Sequence, residues 1–247
     1  MVLLINCTGD LLCVDLHKGL TERGHPARAI QDLYQSPARI SWRLDTHGSS
    51  TSFRLETSGA SIETEISAVF LRKSPFAQKE GWALDEATYV HAEKEAALLG
   101  WSWGLPCPVI NRYPPELWFE PVESLEFWRG RIERYDLELV SAPSEQGVPS
   151  YPVAIIGSKV VWDQGAPGRL DRINDSLVGF AESLGLTYLE FRITDSVRKP
   201  QVAAVEPFPK YDGFCLSSRR EIVMGLIDFL ASSQSAGPVR DATDSWF

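Results

Sequence analysis

Two glutamates near the C-terminal end of the chain stand among apolar residues in segments with a strand-like pattern. Glu190 lies in the run Tyr-Leu-Glu-Phe-Arg, and Glu206 lies in the run Val-Glu-Pro-Phe-Pro. A carboxylate is costly to bury without a positive partner, so acids in this setting commonly bind a divalent metal or pair with a cation. Arg192 would share a strand face with Glu190, and Lys210 follows Glu206 closely. The residues alone leave both a metal pair and two structural ion pairs open.

A basic pair, Arg72 and Lys73, follows a short buried-strand pattern and offers a second place for chemistry. Two cations at a strand end could hold an anion such as a carboxylate or a phosphate, although such a pair is more often simply solvated. The sequence contains no GxGxxG, P-loop or GxSxG motif, and no Cys/His pair that would form an activated nucleophile. Local motifs therefore support only a soluble α/β protein with candidate ion-binding groups.

The charge balance excludes several classes of partner. The 247-residue chain has a net charge of −9 and no cluster of Lys and Arg that could neutralise a nucleic-acid backbone. No apolar run approaches the ~20 residues that span a bilayer, and the apolar start of the chain is too short for a signal peptide. The four cysteines form no CxxC pair, which favours reduced thiols. We expect a cytoplasmic protein without nucleic-acid or membrane partners.

The elements that would position these residues follow an α/β order. The first thirty residues predict a strand, a helix capped by Asp10 and a second strand, which is the start of a parallel layer. Between Arg39 and Ile66, apolar and polar residues alternate as in strands with one exposed face, with turns predicted at His47-Gly48 and Ser58-Gly59. The buried-strand pattern at 68–71 follows. Four tryptophans near the middle of the chain favour a large apolar packing surface or a groove: Trp101, Trp103, Trp118 and Trp128.

Polar loops divide the chain into segments. We predict an α/β domain over 1–75, a helical, tryptophan-rich region over 76–142, a C-terminal core over 151–231 and a flexible tail over 232–247. Within the core, a hairpin, a helix that ends at Gly185, the two glutamate strands and a last helix from Arg219 to Ala231 follow one another. The predicted fold class is α/β.

Several stretches carry a resemblance to a known family. They are the opening strand with Thr8-Gly-Asp10 and its helix, AVFLRKSP at 68–75, VINRYP at 109–114, YPVAIIG at 151–157, LGLTYLE at 184–190 and VEPFP at 205–209. Their order resembles that of the ATP-grasp peptide maturases, which make the side-chain ester and amide links of microviridin-type (graspetide) peptides. The resemblance implies an N-terminal pre-ATP-grasp-like α/β layer and a C-terminal mixed sheet like the last part of an ATP-grasp core. It also implies substrate-binding roles for Arg72, Lys73 and Asn111.

The sequence departs from the family where ATP should bind. The helix after the Asn-Pro turn should begin with a lysine, but the corresponding stretch, Glu-Ser-Leu-Glu-Phe at 123–127, has none. A lid subdomain with a second lysine should follow, whereas a short loop leads from Ala142 directly to Tyr151. ATP-dependent ligation needs its triphosphate held by lysines and magnesium. Normal ATP-grasp ligation is therefore not expected.

The family's magnesium ligands are an aspartate, a glutamate and an asparagine. By resemblance, Glu190 matches the aspartate and Glu206 the glutamate, while Phe208 stands where the asparagine should be. Two of three metal positions thus remain acidic, and the third is apolar. We expect no cofactor, although Mg and ATP stay possible with key ligands missing.

These features lead to three functional hypotheses. The first is a degenerate, lid-less ATP-grasp homologue that binds a peptide or a partner enzyme in natural-product biosynthesis, through the tryptophan-rich region and the basic pair. The second is an enzyme, either a ligase completed by a partner chain or a repurposed site in which Glu190, Arg192 and Glu206 are catalytic. The third is a homodimeric scaffold whose tryptophan-rich surface forms the interface.

Overall fold

The protein has a mixed α/β architecture. A computed structural model describes residues 1–33, 38–45, 48–57, 60–63, 66–73, 81–119, 125–140, 149–195 and 199–232. In chain order its elements are β1 (Val2–Ile5), α1 (Leu11–Glu22), β2 (Ala27–Ile30), β3 (Ala38–Asp45), β4 (Gly48–Thr57), β5 (Ala60–Glu63), β6 (Ala68–Leu71), α2 (Leu84–Gly104), β7 (Val109–Ile110), α3 (Pro115–Phe119), α4 (Leu125–Ile132), β8 (Glu138–Leu139), β9 (Ser150–Ile156), β10 (Lys159–Trp162), α5 (Asn174–Ser183), β11 (Tyr188–Asp195), β12 (Pro200–Glu206) and α6 (Leu216–Ser232). Short 3-10 helices follow α4 and precede α5.

The chain folds into two compact units built from non-contiguous stretches. The first contains Met1–Thr8, Leu20–Val109 and Asp228–Phe247, and the second contains Gly9–Gly19 and Ile110–Ile227. The sequence analysis divided the chain into four consecutive segments, which is a different kind of division from these two non-contiguous units. The four-segment division stays a prediction.

A parallel layer and an antiparallel meander belong to the first unit. The parallel layer has the strand order β2-β1-β6-β7, with β1 parallel to both β2 and β6. Every residue of β1 and β6 is buried, as expected for strands covered on both faces. The alternating segment forms the separate antiparallel sheet β3-β4-β5, and its predicted turns at 47 and 58–59 lie outside the described residues.

A five-stranded mixed sheet, in the order β10-β9-β11-β12-β8, organises the second unit. Strand β11 lies between β9 and β12 and is antiparallel to both, while β8 is parallel to β12. One face of β11 packs on α5, where the rings of Phe191 and Phe180 lie 5.7 Å apart, and Phe180 also contacts Trp128 of α4 at 5.9 Å. The opposite face of β11 carries Glu190. This sheet therefore has an apolar face that anchors it and a polar face that presents the candidate site.

The predicted α/β class is confirmed, and most elements lie where their sequence patterns placed them. Two short elements were not predicted, α3 and β8. The last helix begins at Leu216, three residues before the predicted start at Arg219. Of the four mid-chain tryptophans, Trp101, Trp118 and Trp128 are core residues, whereas Trp103 is 51% exposed. No helix among the described residues has the length and apolar character needed to cross a membrane.

Candidate functional site

The pairing of β11 with β12 brings Glu190 and Glu206 side by side. The two residues are register partners in the antiparallel ladder, so their side chains leave the same face of the sheet. Their surroundings differ, because Glu190 is only 8% exposed whereas the Glu206 side chain is 37% exposed. Two carboxylates at this spacing repel each other unless each finds its own partner.

Glu190 finds its partners within the protein. Its Oε1 accepts a hydrogen bond from the hydroxyl of Tyr188, two residues earlier on the same strand face. Its Oε2 accepts a hydrogen bond from the backbone N–H of Tyr211, at 3.4 Å. The Tyr211 hydroxyl in turn donates to Oδ2 of Asp15 on α1, at 2.9 Å. Burial and this hydrogen bond raise the pKa of Tyr211 well above its ordinary value.

Asn111 is also tied to this strand. Its Oδ1 accepts from the backbone N–H of Tyr188 at 2.7 Å, and its Nδ2 donates to the Tyr188 carbonyl at 2.6 Å. The same Nδ2 lies 3.2 Å from the hydroxyl of Tyr113, and Asn111 is 1% exposed. Asn111 therefore acts as a side-chain bridge that fixes the start of β11. A substrate contact by Asn111 stays a prediction.

Phe208, at the position of the expected third metal ligand, belongs to an aromatic cluster. Its ring stacks on Tyr113 with centroids 4.6 Å apart and meets the edge of Trp118 at 5.8 Å. Tyr113 and Trp118 contact each other at 5.1 Å, and both are fully buried. The position is thus used for packing and supplies no ligand oxygen.

The two ion pairs considered from the sequence have different outcomes. Lys210 Nζ lies 3.9 Å from Glu206 Oε2, at the outer limit of an ion pair between an exposed lysine and a partly exposed carboxylate. Arg192 does not pair with Glu190, although the two share a strand face, because the tyrosines occupy that carboxylate. Within the described residues, the exposed Arg192 guanidinium makes no hydrogen bond or ion pair. It lies beside Gly213, where an added Cβ would be 3.4 Å from Arg192 Nη2.

These residues do not fit a magnesium ion. Both oxygens of one carboxylate already accept hydrogen bonds from the protein, the other carboxylate lies by a lysine, and the third position is an aromatic ring. No group of three acidic, His or Cys side chains suited to a metal occurs in the described ranges. Hard divalent cations take six or more oxygen ligands, and this site offers few that are not already engaged.

Arg72 and Lys73 follow the end of β6 in the first unit. Both backbone polar groups of Arg72 are hydrogen-bonded. Its N–H donates to the Ile5 carbonyl at 3.1 Å, and its own carbonyl accepts from Asn6 Nδ2 at 3.0 Å. Its guanidinium lies 5.7 Å from the ring centroid of Phe70. Lys73 is exposed, and its charge adds to burial in lowering the pKa of His91. The anion-binding role of this pair stays a prediction.

Sequence reasoning missed Tyr188, Tyr211 and Asp15, the residues that hold the site together. It also missed Cys215, whose Sγ lies 3.0 Å from the Ser217 hydroxyl. Hydrogen bonds from Ser217 and then Ser218 lower the pKa of the Cys215 thiol to about 7. Tyr188 stood in the run that carries Glu190, and its place two residues before the acid was the one available signal.

No protein-family model matches the sequence, and no curated protein matches it. Solved structures do. The structure is similar to macrocyclase MdnC bound with precursor peptide MdnA from Microcystis aeruginosa MRC, with TM-score 0.68, 10% identity, and coverage of 94% of this chain and 100% of that chain. The structure is also similar to a Chryseobacterium gregarium RiPP-associated ATP-grasp ligase in complex with ADP and a leader and core peptide. The TM-score is 0.67 and the identity 11%, with coverage of 96% of this chain and 97% of that chain. ATP-grasp ligase PsnB, complexed with precursor peptide PsnA2 and AMPPNP, gives a TM-score of 0.65 and 16% identity, with coverage of 95% of this chain and 97% of that chain.

These similarities confirm the fold expected from the order of the segments. The chain has an ATP-grasp peptide maturase-like fold, and the likeness extends over nearly its whole length. At identities of 16% or less, the likeness is one of fold. The function has to be argued from the site.

Proposed function

We propose that this chain binds a peptide, or a partner enzyme that modifies a peptide, and does not itself carry out ATP-dependent ligation. Solved neighbours of the same fold are complexed with precursor peptides, which supports a role in peptide modification. Natural-product biosynthesis in the cytoplasm is the setting that we propose, with no nucleic acid or membrane as partner.

The observation that carries the proposal is the state of the three positions where magnesium would bind. Glu190 is hydrogen-bonded to Tyr188 and Tyr211, and Phe208 is packed into an aromatic cluster. A functional metal site keeps its ligand oxygens directed at the ion. Here the packing and the hydrogen bonds of the protein use the groups that a metal would need.

The nucleotide side of the site supports the same proposal. Phosphoryl chemistry depends on cations that clamp the triphosphate and on exclusion of water. The sequence has no lysine in the stretch 123–127, and only the ten residues 140–149 connect β8 with β9. A connection of this length cannot contain a lid subdomain. We therefore keep the prediction, made from the sequence, that the lid is missing.

A second candidate function is a repurposed enzyme, or a ligase completed by a partner chain. It is favoured by Arg192, which is exposed on the face that carries both glutamates and makes no ion pair with the described residues. In this alternative, Glu190, Arg192 and Glu206 would act on a substrate, with Arg192 binding an anionic group of it. PsnB is also known complexed with Mg and ADP, so metal and nucleotide belong to this alternative.

Calorimetric titration with Mg-ATP separates the two candidates. We expect no binding heat up to about 1 mM nucleotide and no release of ADP or phosphate. Micromolar binding accompanied by turnover would overturn the accessory role. In parallel, the genes beside the one for this chain should be searched for a precursor peptide and a full-length ligase, and fluorescence anisotropy should measure the binding of each to this chain. Binding of neither would also count against the proposal, and a scrambled peptide is the control.

A further inference from the structure

We propose that Tyr188, Tyr211 and Asp15 form a clamp that takes the place of a cation at Glu190. The clamp joins three parts of the second unit: strand β11, the segment between β12 and α6, and helix α1. It concerns the architecture of the site and does not depend on which peptide or enzyme this chain binds.

The first step in the argument is the burial of Glu190. A carboxyl group at 8% exposure needs a positive partner or hydrogen bonds from the protein. A cation is one solution, and donors from the protein are the other. Here each oxygen has its own donor, the Tyr188 hydroxyl at Oε1 and the Tyr211 N–H at Oε2. These two donors occupy both carboxyl oxygens, which are the atoms that a cation would otherwise meet.

The second step is the backbone of Tyr211. Its φ is +65°, the left-handed region that a residue with a Cβ rarely adopts. A tyrosine keeps this conformation only where its surroundings stabilise it. At Tyr211 the peptide N–H meets Glu190 while the hydroxyl meets Asp15. One residue therefore links the sheet to α1 through both its backbone and its side chain.

The third step is the support around Tyr211. Arg219 of α6 places its guanidinium 5.2 Å from the Tyr211 ring centroid. The same guanidinium donates from Nε to the Phe214 carbonyl at 2.7 Å and from Nη2 to the Asp212 carbonyl. The segment that carries Tyr211 is thus held from the helix that follows it as well as from the sheet. These contacts fix the backbone whose N–H meets Glu190 and the ring whose hydroxyl meets Asp15.

A substitution series at Asp15 tests the clamp without disturbing the core, because Asp15 is exposed. Asp15→Ala removes the acceptor and should lower the Tm by at least about 3 °C, as expected for the loss of one charged hydrogen bond in a chain of this size. Asp15→Asn keeps an acceptor oxygen and should restore most of that loss. In a Tyr211→Phe background, Asp15→Ala should have almost no further effect, because the bond is already absent.

Additive losses in this series would show that Asp15 acts apart from Tyr211 and would overturn the clamp. So would an Asp15→Ala variant as stable as the natural chain. Val14→Ala, on the same helix and 59% exposed, is the matched control for a general effect of substitution on α1.

The second measurement uses metal alone, without nucleotide. If the tyrosines replace the cation, MgCl2 or MnCl2 should shift the Tm no more than NaCl of the same ionic strength does. A metal-specific rise of several degrees that disappears in Glu190→Gln would show that the carboxylate binds a cation, and the proposal would fail. This outcome is distinct from the one that would overturn the proposed function, namely binding and turnover of Mg-ATP.

Discussion

Glu190 and Glu206 are register partners on neighbouring antiparallel strands, yet their carboxylates are stabilised by different means. The inner one is buried and accepts hydrogen bonds from two tyrosines, and the outer one lies partly in solvent beside Lys210. The outer carboxylate is partly solvated and lies near a lysine, whereas the buried one accepts hydrogen bonds from fixed donors. The asymmetry falls at a position where the resemblance implied one shared metal, and that metal role stays a prediction.

The asymmetry predicts unequal effects of removing each charge. Glu190→Gln replaces one acceptor oxygen by an NH2 group that faces a donor, and it should lower the free energy of unfolding by about 2 kcal/mol. Glu206→Gln should change it by less than about 0.5 kcal/mol, because exposed pairs contribute little. Urea unfolding followed by tryptophan fluorescence measures both. Equal losses, or a larger loss at Glu206, would contradict the inference that stability depends more on Glu190 than on Glu206.

Phe208→Asn restores the family's residue at the third metal position and tests whether packing has replaced ligation there. We expect a loss of about 1–3 kcal/mol of stability, because the half-buried ring leaves its contacts with Tyr113 and Trp118. We also expect no gain of Mn²⁺ affinity, since Glu190 stays engaged. Phe119→Asn, at a 52% exposed aromatic position, is the matched control and should cost little. Tight Mn²⁺ binding by the Phe208 variant would show that the site lacks only this ligand.

The two glutamate strands could be predicted because their signals are local, whereas their pairing needed the structure. Alternation around Glu190, the hairpin before it and the helix that ends at Gly185 all follow from short-range patterns. The elements that sequence reasoning missed are short: α3 follows a Pro-Pro pair that reads as a turn, and β8 has two residues. Two residues cannot show periodicity, so tertiary pairing alone defines such a strand.

The chemistry of the site could not be predicted, because its partners are distant in the sequence. Tyr211 and Asp15 are 196 positions apart, and Asn111 and Tyr188 are 77 apart. No spacing rule connects such residues. The local rule proposed Arg192 as the partner of Glu190, and the fold supplied two tyrosines in its place.

Cys215 should be the most reactive thiol of the chain. Its pKa of about 7 lies below the ordinary value because Ser217 and Ser218 hydrogen-bond the sulfur. Since a lower pKa gives more thiolate at neutral pH, alkylation by iodoacetamide should reach half its maximal rate near pH 7. Mass spectrometry should find the buried Cys7, Cys13 and Cys107 unlabelled in the native protein. Ser217→Ala should move the midpoint to higher pH, and an unchanged midpoint would contradict the assigned cause.

Two helical glycines should respond to alanine in opposite directions. Gly130 of α4 has nothing within 4 Å of an added Cβ, so Gly130→Ala should add about 0.5–1 kcal/mol of stability through helix propensity. At Gly225 of α6 the Cβ would lie 3.0 Å from Cδ1 of the buried Ile156. Gly225→Ala should therefore be less stable than Gly130→Ala by about 1 kcal/mol or more. Thermal unfolding of both variants measures the difference, and equal gains would show that α6 packs less tightly on β9.

Arg192→Gln separates the accessory role from the repurposed enzyme. Because the guanidinium makes no hydrogen bond or ion pair with the described residues, the substitution should change the Tm by less than about 1 °C. Arg192→Lys keeps the charge but loses the planar, bidentate donor group, so it serves as the matched control. If Arg192 binds an anionic group of a substrate, Gln should lower activity or ligand affinity about tenfold or more, and Lys should recover only part of it. Equal activity and affinity in all three proteins would remove Arg192 from any catalytic role and leave the accessory function as the better explanation of the site.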